Sequence, residues 1–152
     1  AVVVGTGTVL ADDPRLTVRG ADGTPAGRQP LRVVVGTREI PPEAAVLDSS
    51  AETLRVRTRD PDAVLAALDE RGIVDVLLEG GPALAGAFVA AHRVDRIVAF
   101  VAPVLLGAGP AALGEAGVST ITEAHRWRVE RATMSGEDVR ISAVPVTGEG
   151  GD

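Results

Sequence analysis

The sequence predicts an α/β domain with a mixed, mostly parallel sheet, helices on both of its faces and a C-terminal β-hairpin. Apolar runs of strand length alternate with helical segments through most of the chain. Two of these runs end in glycine turns, and one of the turns leads into a helix that begins with proline. The last part of the chain instead holds two alternating segments joined at residues 135–138, which is typical of a hairpin.

The elements are predicted in the following order. A strand at 2–5 leads into a single short helical turn, which ends at Asp12-Asp13-Pro14 because the residue before proline avoids the α region. Further strands are predicted at 31–35, 54–58, 74–78, 96–101, 126–133 and 139–144. Helices are predicted from Pro61 through Leu68 and from Pro82 to His92, and residues 20–29 and 106–117 read as loops.

The composition narrows the class of protein. The 152 residues fit a single domain, and no apolar run reaches the roughly 20 residues needed to cross a bilayer. The sequence has no basic and apolar leader, so we expect a cytoplasmic protein without membrane contacts. The absence of cysteine excludes disulfides, thiolate metal ligands and cysteine nucleophiles, and the absence of lysine excludes Schiff bases. The net charge of −6 argues against nonspecific binding to nucleic acid.

Residues 74–87 carry the clearest functional signal. An apolar strand ends on Glu79, turns through Gly80-Gly81 and opens a helix with Pro82. Proline costs nothing at the first helical position, and the free amides and positive dipole end of the helix favour an anionic ligand. Glu79 would stand beside that ligand at the carboxyl end of the strand. An ordinary βα connection has the same spacing, and the dinucleotide fingerprint G-x-G-x-x-G is not present.

A second segment gathers polar groups at another strand end. The β-branched run at 2–4 stops at Gly5, two threonines surround Gly7, and Asp12-Asp13-Pro14 closes the turn. Hydroxyls and carboxylates thus collect beyond this strand. Asp-Asp-Pro also serves as an ordinary turn cap, and Arg15 and Arg19 also fit a solvated surface.

Guanidinium groups follow two further strands. Thr37-Arg38 comes after the strand at 31–35, and Arg57-Thr58-Arg59 follows the strand that begins at Leu54. If these strands are neighbours, hydroxyls and guanidiniums converge at one edge of the sheet, and arginine can bind a phosphate through two parallel hydrogen bonds. Taken singly, each of these arginines also fits a solvated loop.

The two histidines do not indicate a metal site or a catalytic triad. His92 is predicted in the last turn of its helix, where a positive charge suits the dipole, and His125 precedes an alternating strand. Neither has a carboxylate or hydroxyl partner at a recognisable spacing, so no metal ligands are assigned.

Taken together, these segments resemble one known family, the reductase domain of the bifunctional riboflavin-biosynthesis deaminase/reductase, which has a dihydrofolate-reductase-like three-layer αβα fold. The matching stretches run in the family's order over most of the chain: Val4 to Arg19, Leu31 to Thr37, Leu78 to Ala87, Val94-Asp95 and Val101 to Gly107. The deaminase half of that family needs a zinc motif of histidine and paired cysteines. We therefore expect the deaminase activity to be absent from this cysteine-free chain.

The resemblance implies an NADPH-dependent reduction of 5-amino-6-(5-phosphoribosylamino)uracil to its 5-phosphoribitylamino product. A carboxylate, either Glu79 or Asp12, would stabilise the substrate iminium or relay a proton, and the sequence does not decide between them. Substrate contacts are implied for Leu16, Arg19 and Glu79. Cofactor contacts are implied for Thr8, Asp12, Thr37, Gly80, Gly81, Pro82, Ala83, Leu84, Ala85, Gly86 and Ala87, and the positions at strand ends add Arg38 and Arg59.

The resemblance also bears on the extent and the partners of the domain. Relatives carry a first strand and a substrate-contacting loop ahead of the strand at 2–5, so we expect residues 1–146 to be a reductase domain without these parts, with a disordered tail at 147–152. The apolar stretch at 97–106 and the resemblance predict a homodimer. Two other classes stay open, namely another NADPH-dependent reductase on the same fold and a nonenzymatic nucleotide-binding module.

Overall fold

A computed structural model describes residues 1–146 of the chain, so the predicted tail at 147–152 lies outside the described residues. The strands are β1 (Val2–Gly5), β2 (Arg32–Val35), β3 (Thr53–Val56), β4 (Leu77–Leu78), β5 (Ile97–Val101), β6 (Trp127–Ser135) and β7 (Asp138–Pro145). The α-helices are α1 (Thr6–Asp12), α2 (Pro61–Asp69) and α3 (Pro82–Ala90). None of the helices in residues 1–146 has the length and apolar character needed to cross a membrane.

The strands form two sheets. Four parallel strands lie in the order β3-β2-β1-β4, and three antiparallel strands lie in the order β5-β7-β6. The predicted α/β class and the C-terminal hairpin are confirmed. The single mixed sheet is replaced by two sheets because, within residues 1–146, β4 pairs only with β1 and β5 pairs only with β7.

Helices cover both faces of the parallel sheet, as predicted. Successive side chains of a strand point to opposite faces, so Val3 and Val4 enter different clusters. Val3 packs in a core with residues of α2 and α3, including Val64, Leu68, Leu84 and Phe88. Val4 packs with Val9 of α1 and with the segment at 40–46. Because β1 and β4 are parallel neighbours, α1 and α3, which follow them, begin at the same end of the sheet.

The strand predicted at 74–78 is shorter in the structure and contains only Leu77 and Leu78. Its length is set by its partner, because β1 begins at Val2 and pairs with Leu77 and then Leu78. Ahead of that point only the amino group of Ala1 reaches the segment, donating to the Asp75 carbonyl at 2.7 Å. Val74 therefore lies outside any ladder and is exposed.

The other boundaries differ by a few residues for local reasons. The turn predicted after β1 is a two-turn helix, α1, which ends at Asp12 and is followed by Asp13 in the left-handed region. α2 begins at Pro61, where the Asp60 side chain caps the Asp62 amide at 3.1 Å. The placement of His92 inside α3 is wrong: the helix ends at Ala90, and His92 has a φ of +54°. Arg93 N–H donates to the Phe88 carbonyl, the bond that closes a helix of this kind.

Candidate active site

The predicted functional segments meet at one edge of the parallel sheet. Because β3, β2, β1 and β4 are parallel neighbours, their carboxyl ends lie side by side. The segments that follow these strands are residues 57–59, 36–39, 6–8 and 79–81. Open α/β sheets place ligands outside the carboxyl ends of their strands. The strands that precede Arg38 and Arg59, β2 and β3, are neighbours, so the condition set in the sequence analysis for these two arginines is met.

The turn between β4 and α3 exposes backbone amides. Gly80 and Gly81 have φ values of +89° and +76°, a conformation that favours glycine. The amides of Leu84 and Ala85 both donate to the Gly81 carbonyl at 3.0 Å, and proline at position 82 has no amide. The N–H groups of Gly81 and Ala83 have no partner among residues 1–146. The turn therefore presents free donors at the positive end of a nine-residue helix.

The Thr8 hydroxyl lies against this turn. A Cβ atom added to Gly81 would stand 3.3 Å from Thr8 Oγ1, and one added to Gly80 would stand 3.5 Å from it. Asp12 follows Thr8 by four residues, so the two share a face of α1. Glu79 directly precedes the turn and is exposed. The Thr8 hydroxyl and a turn with two free amides thus lie together, and an exposed carboxylate residue directly precedes that turn.

Arg38 lies over the start of α1. Its Nη2 atom is 2.6 Å from the position that a Cβ on Gly7 would take, so the absence of a side chain at residue 7 is what admits the guanidinium. The neighbouring Thr37 is exposed. Gly36 has a φ of +132°, and a Cβ there would stand 2.6 Å from Thr6 Oγ1. The close packing of Thr6 on Gly36 holds the ends of β1 and β2 together below Arg38.

Glu39 is a charged neighbour of this edge that the sequence reasoning missed. Its carboxylate accepts hydrogen bonds from Arg57 at 2.7 Å and from Arg55 at 3.2 Å. These bonds, that from Arg57 first, hold the pKa of Glu39 below its ordinary value. Arg57 is thereby engaged, whereas Arg38 and Arg59 form no ion pair among residues 1–146. This contact depends on the pairing of β2 with β3, which brings Arg55 and Arg57 next to the segment that follows β2.

Only the first residues of the predicted range in α3 face the turn. Pro82 and Ala83 are exposed. The Leu84 side chain is buried in the core with Val3 and Phe88, so its implied cofactor contact stays a prediction that concerns the helix start and not this side chain. Gly86 is also buried. A Cβ there would stand 2.3 Å from the Glu115 carbonyl oxygen, so only glycine fits at this position. The close approach of the loop at Gly114 and Glu115 to α3 therefore requires glycine at position 86. Ala85 and Ala87 are half-buried.

Leu16 and Arg19 lie at the other end of α1 from the glycine turn. The seven residues of α1 separate the two places by about 10 Å at 1.5 Å per residue. Leu16 is half-buried against the cluster that contains Val4 and Val9. Arg19 lines a pocket of about 290 Å³, here called the arginine pocket. The other residues that line it are Arg15, Thr17, Gly23, Pro25, Gln29 and Ser50. Two guanidiniums in one pocket suit an anion.

The histidines meet away from this edge. The rings of His92 and His125 lie 5.2 Å apart in an edge-to-face arrangement, and His125 Nε2 is 2.8 Å from the Ala116 carbonyl oxygen. Sequence spacing had not indicated this pairing. Residues 1–146 contain no group of three histidine, aspartate or glutamate side chains placed to hold a metal ion.

Comparison with known proteins identifies the family of this chain. The model of the family described as RibD C-terminal domain matches residues 1–141. The chain belongs to this family. It is 56% identical over 144 residues to the riboflavin biosynthesis protein RibD of Mycobacterium tuberculosis, a match that covers 95% of the chain and 42% of that protein. It is 34% identical to the 2,5-diamino-6-ribosylamino-4(3H)-pyrimidinone 5′-phosphate reductase of Methanothermobacter thermautotrophicus, covering 93% of the chain and 77% of that protein.

Solved structures agree with the family assignment. RibD of Acinetobacter baumannii superposes with a TM-score of 0.81 at 26% identity, over 96% of this chain and 46% of that chain. The deaminase and uracil reductase of Thermotoga maritima superposes with a TM-score of 0.78 at 24% identity, over 95% of this chain and 45% of that one. The dihydrofolate-reductase-like fold expected from the sequence is confirmed. The chain spans less than half the length of the RibD proteins it matches.

Proposed function

We propose that this chain is a reductase domain that uses NADPH to convert 5-amino-6-(5-phosphoribosylamino)uracil into its 5-phosphoribitylamino product in riboflavin biosynthesis. The observation that carries the proposal is that Thr8 lies against the glycine turn, which Glu79 directly precedes and in which the amides of Gly81 and Ala83 are free within residues 1–146. The relatives named as riboflavin biosynthesis proteins and as a pyrimidinone phosphate reductase support it.

The residues at the edge fit a phosphorylated dinucleotide. The glycine turn leaves room beside Thr8 Oγ1 that a Cβ on Gly81 would fill, and its amides and helix dipole suit a pyrophosphate. Arg38 and Arg59, which have no carboxylate partner within residues 1–146, would hold the 2′-phosphate together with Thr37. Leu16 and the arginine pocket at Arg19 would receive the substrate and its ribose phosphate.

In this reaction the protein mainly has to align the two reactants and stabilise charge. When bound, NADPH supplies a hydride to C1 of the ring-opened imine of the substrate. An electron-poor carbon needs close positioning more than a nucleophile, which agrees with a chain that has no cysteine and no lysine and whose two histidines lie away from this edge. Glu79 is exposed beside the turn and would stabilise the iminium or deliver its proton, while Asp12 lies one helical turn beyond Thr8.

Cofactor preference gives the first test of this assignment. We expect the full-length protein to oxidise NADPH in the presence of the aminouracil phosphate and to bind NADPH at least about tenfold more tightly than NADH, since charge-assisted hydrogen bonds contribute roughly 1.5 to 3 kcal/mol. Arg38→Gln combined with Arg59→Gln should remove most of that preference. Calorimetric titration of both dinucleotides measures it, with Arg128→Gln on β6 as the control. Equal affinities in the unaltered protein contradict NADPH as the cofactor.

A second candidate substrate is favoured by the archaeal relative. That reductase is named for a 2,5-diamino-pyrimidinone phosphate, and the chain covers 77% of it at 34% identity. The two substrates differ in the base and share the ribose phosphate, so the pocket at Arg19 serves either. Initial rates with both compounds at equal concentration distinguish the two candidates, and the faster one identifies the substrate.

The homodimer expected from the sequence remains a proposal that the surface supports. Phe100 and Val101 on β5 and Leu105 and Leu106 beyond it are exposed, and contiguous apolar surface of this kind marks protein interfaces. Light scattering of the full-length protein should give twice the monomer mass at micromolar concentration. Phe100→Asp should yield monomers, whereas Val74→Asp, at an exposed apolar position ahead of β4 in the other sheet, should not. A monomer mass for the unaltered protein would contradict the dimer.

A further inference from the structure

Arg32 is a buried charge in an otherwise apolar strand. It is the first residue of β2, its side chain is 0% exposed, and the rest of the strand is valine. Burying a guanidinium is costly, and replacing a buried ion pair with apolar side chains of similar volume is often neutral or stabilising. The folding of β2 therefore gives no reason for an arginine at this position, and its contacts supply one.

The Arg32 guanidinium joins two loops that border the arginine pocket. Nη1 donates to the Arg15 carbonyl at 3.3 Å and to Asp48 Oδ1 at 2.9 Å, and Nη2 donates to the carbonyls of Asp48, at 2.6 Å, and Ala51. The other oxygen of Asp48 accepts from Arg15 Nη1 at 3.1 Å. Asp48 Oδ1 also accepts from the amide and the hydroxyl of Ser50. Both side chains held by Asp48, those of Arg15 and Ser50, line the pocket.

The loop held by Arg32 does not rest in a relaxed conformation. Asp13 and Leu16 have φ values of +42° and +51°, which are unfavourable for residues with a side chain. Such geometry persists only where surrounding contacts impose it. Between these two residues the Arg15 carbonyl is bound by Arg32, and ahead of it the Asp13 carboxylate accepts from the Ala45 amide at 2.7 Å.

The charges leave the pocket suited to a phosphate. Arg15 and Arg19 line the pocket, and behind them the buried Arg32 offsets the negative charge of Asp48, so these four side chains together carry a net charge of +2. The hydrogen bonds from Ser50 and then Arg32 hold the pKa of Asp48 well below its usual range, and it stays ionised at neutral pH. Without Arg32, Asp48 would neutralise Arg15 alone and weaken the attraction for an anion.

We infer that Arg32 and Asp48 are positioning residues, which hold Arg15 in place to bind the phosphate of the substrate. The inference rests on the proposed function, because that function supplies the phosphorylated substrate. Neither residue touches the reacting atoms; both act through Arg15 and the backbone of its loop.

A double-mutant cycle tests this role. Arg32→Met keeps the volume without the charge, and we expect it to raise the KM for the aminouracil phosphate about tenfold or more, as the loss of a charge-assisted bond predicts, with kcat changed less than about twofold. In the Arg15→Gln background the same substitution should change KM by less than about twofold, because Arg32 acts on the phosphate through the Arg15 guanidinium, which this background lacks. Arg93→Met is the matched control, since Arg93 forms an ion pair with Asp62 away from the pocket.

Two further measurements make the outcome decisive. Arg32→Lys retains the charge but not the planar fork, so it is run through the same cycle to separate positioning from a folding defect in Arg32→Met. Calorimetry with inorganic phosphate reports on the pocket without any reaction, and Arg32→Met should weaken phosphate binding by a similar factor. A protein that lacks reductase activity yet shows this loss refutes the proposed function alone. Equal KM changes with and without Arg15, or no phosphate binding by the unaltered protein, would overturn the positioning role.

Discussion

Gly81→Val is expected to abolish NADPH binding and to leave the fold largely intact. Gly81 has a φ of +76°, and even a Cβ at this position would stand 3.3 Å from Thr8 Oγ1. The branched side chain of valine would fill the space between the threonine hydroxyl and the free amides, where a pyrophosphate would lie. Losing several charge-assisted bonds of roughly 1.5 to 3 kcal/mol each lowers affinity by about a hundredfold or more.

The matched control for this variant is Gly72→Val. Gly72 follows α2 with a φ of +68°, and nothing lies within 4 Å of a Cβ there. Both substitutions place a side chain in the left-handed region, at a cost of roughly 1 to 2 kcal/mol, but only one of them lies at the candidate site. Calorimetric NADPH titration and thermal unfolding of both variants separate strain from lost binding. If Gly81→Val binds NADPH normally, the glycine turn is an ordinary βα connection.

The structural features that the sequence predicts well are those determined by the residue types of one short segment. The strand, the two glycines and Pro82 specify a turn with free amides, and its conformation is local enough to be read from residue types. The alternation of strands and helices likewise predicts a parallel sheet, but only the structure gives the order of its strands, which places the ends of β1 and β4 together. The contact between Thr8 and Gly81 follows from that topology, although the two residues are far apart in the chain.

The features that the sequence reasoning missed depend on contacts between segments distant in the chain. Arg32 looks like the polar border of an apolar strand, and only the fold shows that the loops at Arg15 and Asp48 close over it. Glu39 reads as a solvated charge until the pairing of β2 with β3 brings Arg57 to it. The length of β4 is similarly decided by its neighbour, because an extended segment without a partner forms no ladder.

Glu79→Gln is expected to spare NADPH binding and to lower turnover by about a hundredfold or more, the contribution typical of a positioned general acid or base. The substitution keeps the size of the side chain and removes its charge and its proton-transfer capacity. Because Glu79 stands beside the turn and does not supply its amides, the dinucleotide affinity should be unchanged. Single-turnover reduction of the aminouracil phosphate, measured alongside NADPH titration, separates the two effects.

Asp12→Asn decides which carboxylate acts. Asp12 shares a face of α1 with Thr8 but lies a full turn farther from the glycines, so we expect its loss to lower the single-turnover rate less than the loss of Glu79. Glu137→Gln, in the exposed turn between β6 and β7, controls for the general effect of removing one negative charge. A larger defect in Asp12→Asn than in Glu79→Gln would transfer the proton-handling role to Asp12. Normal turnover in both variants would mean that the chain aligns the two reactants and leaves the proton to solvent.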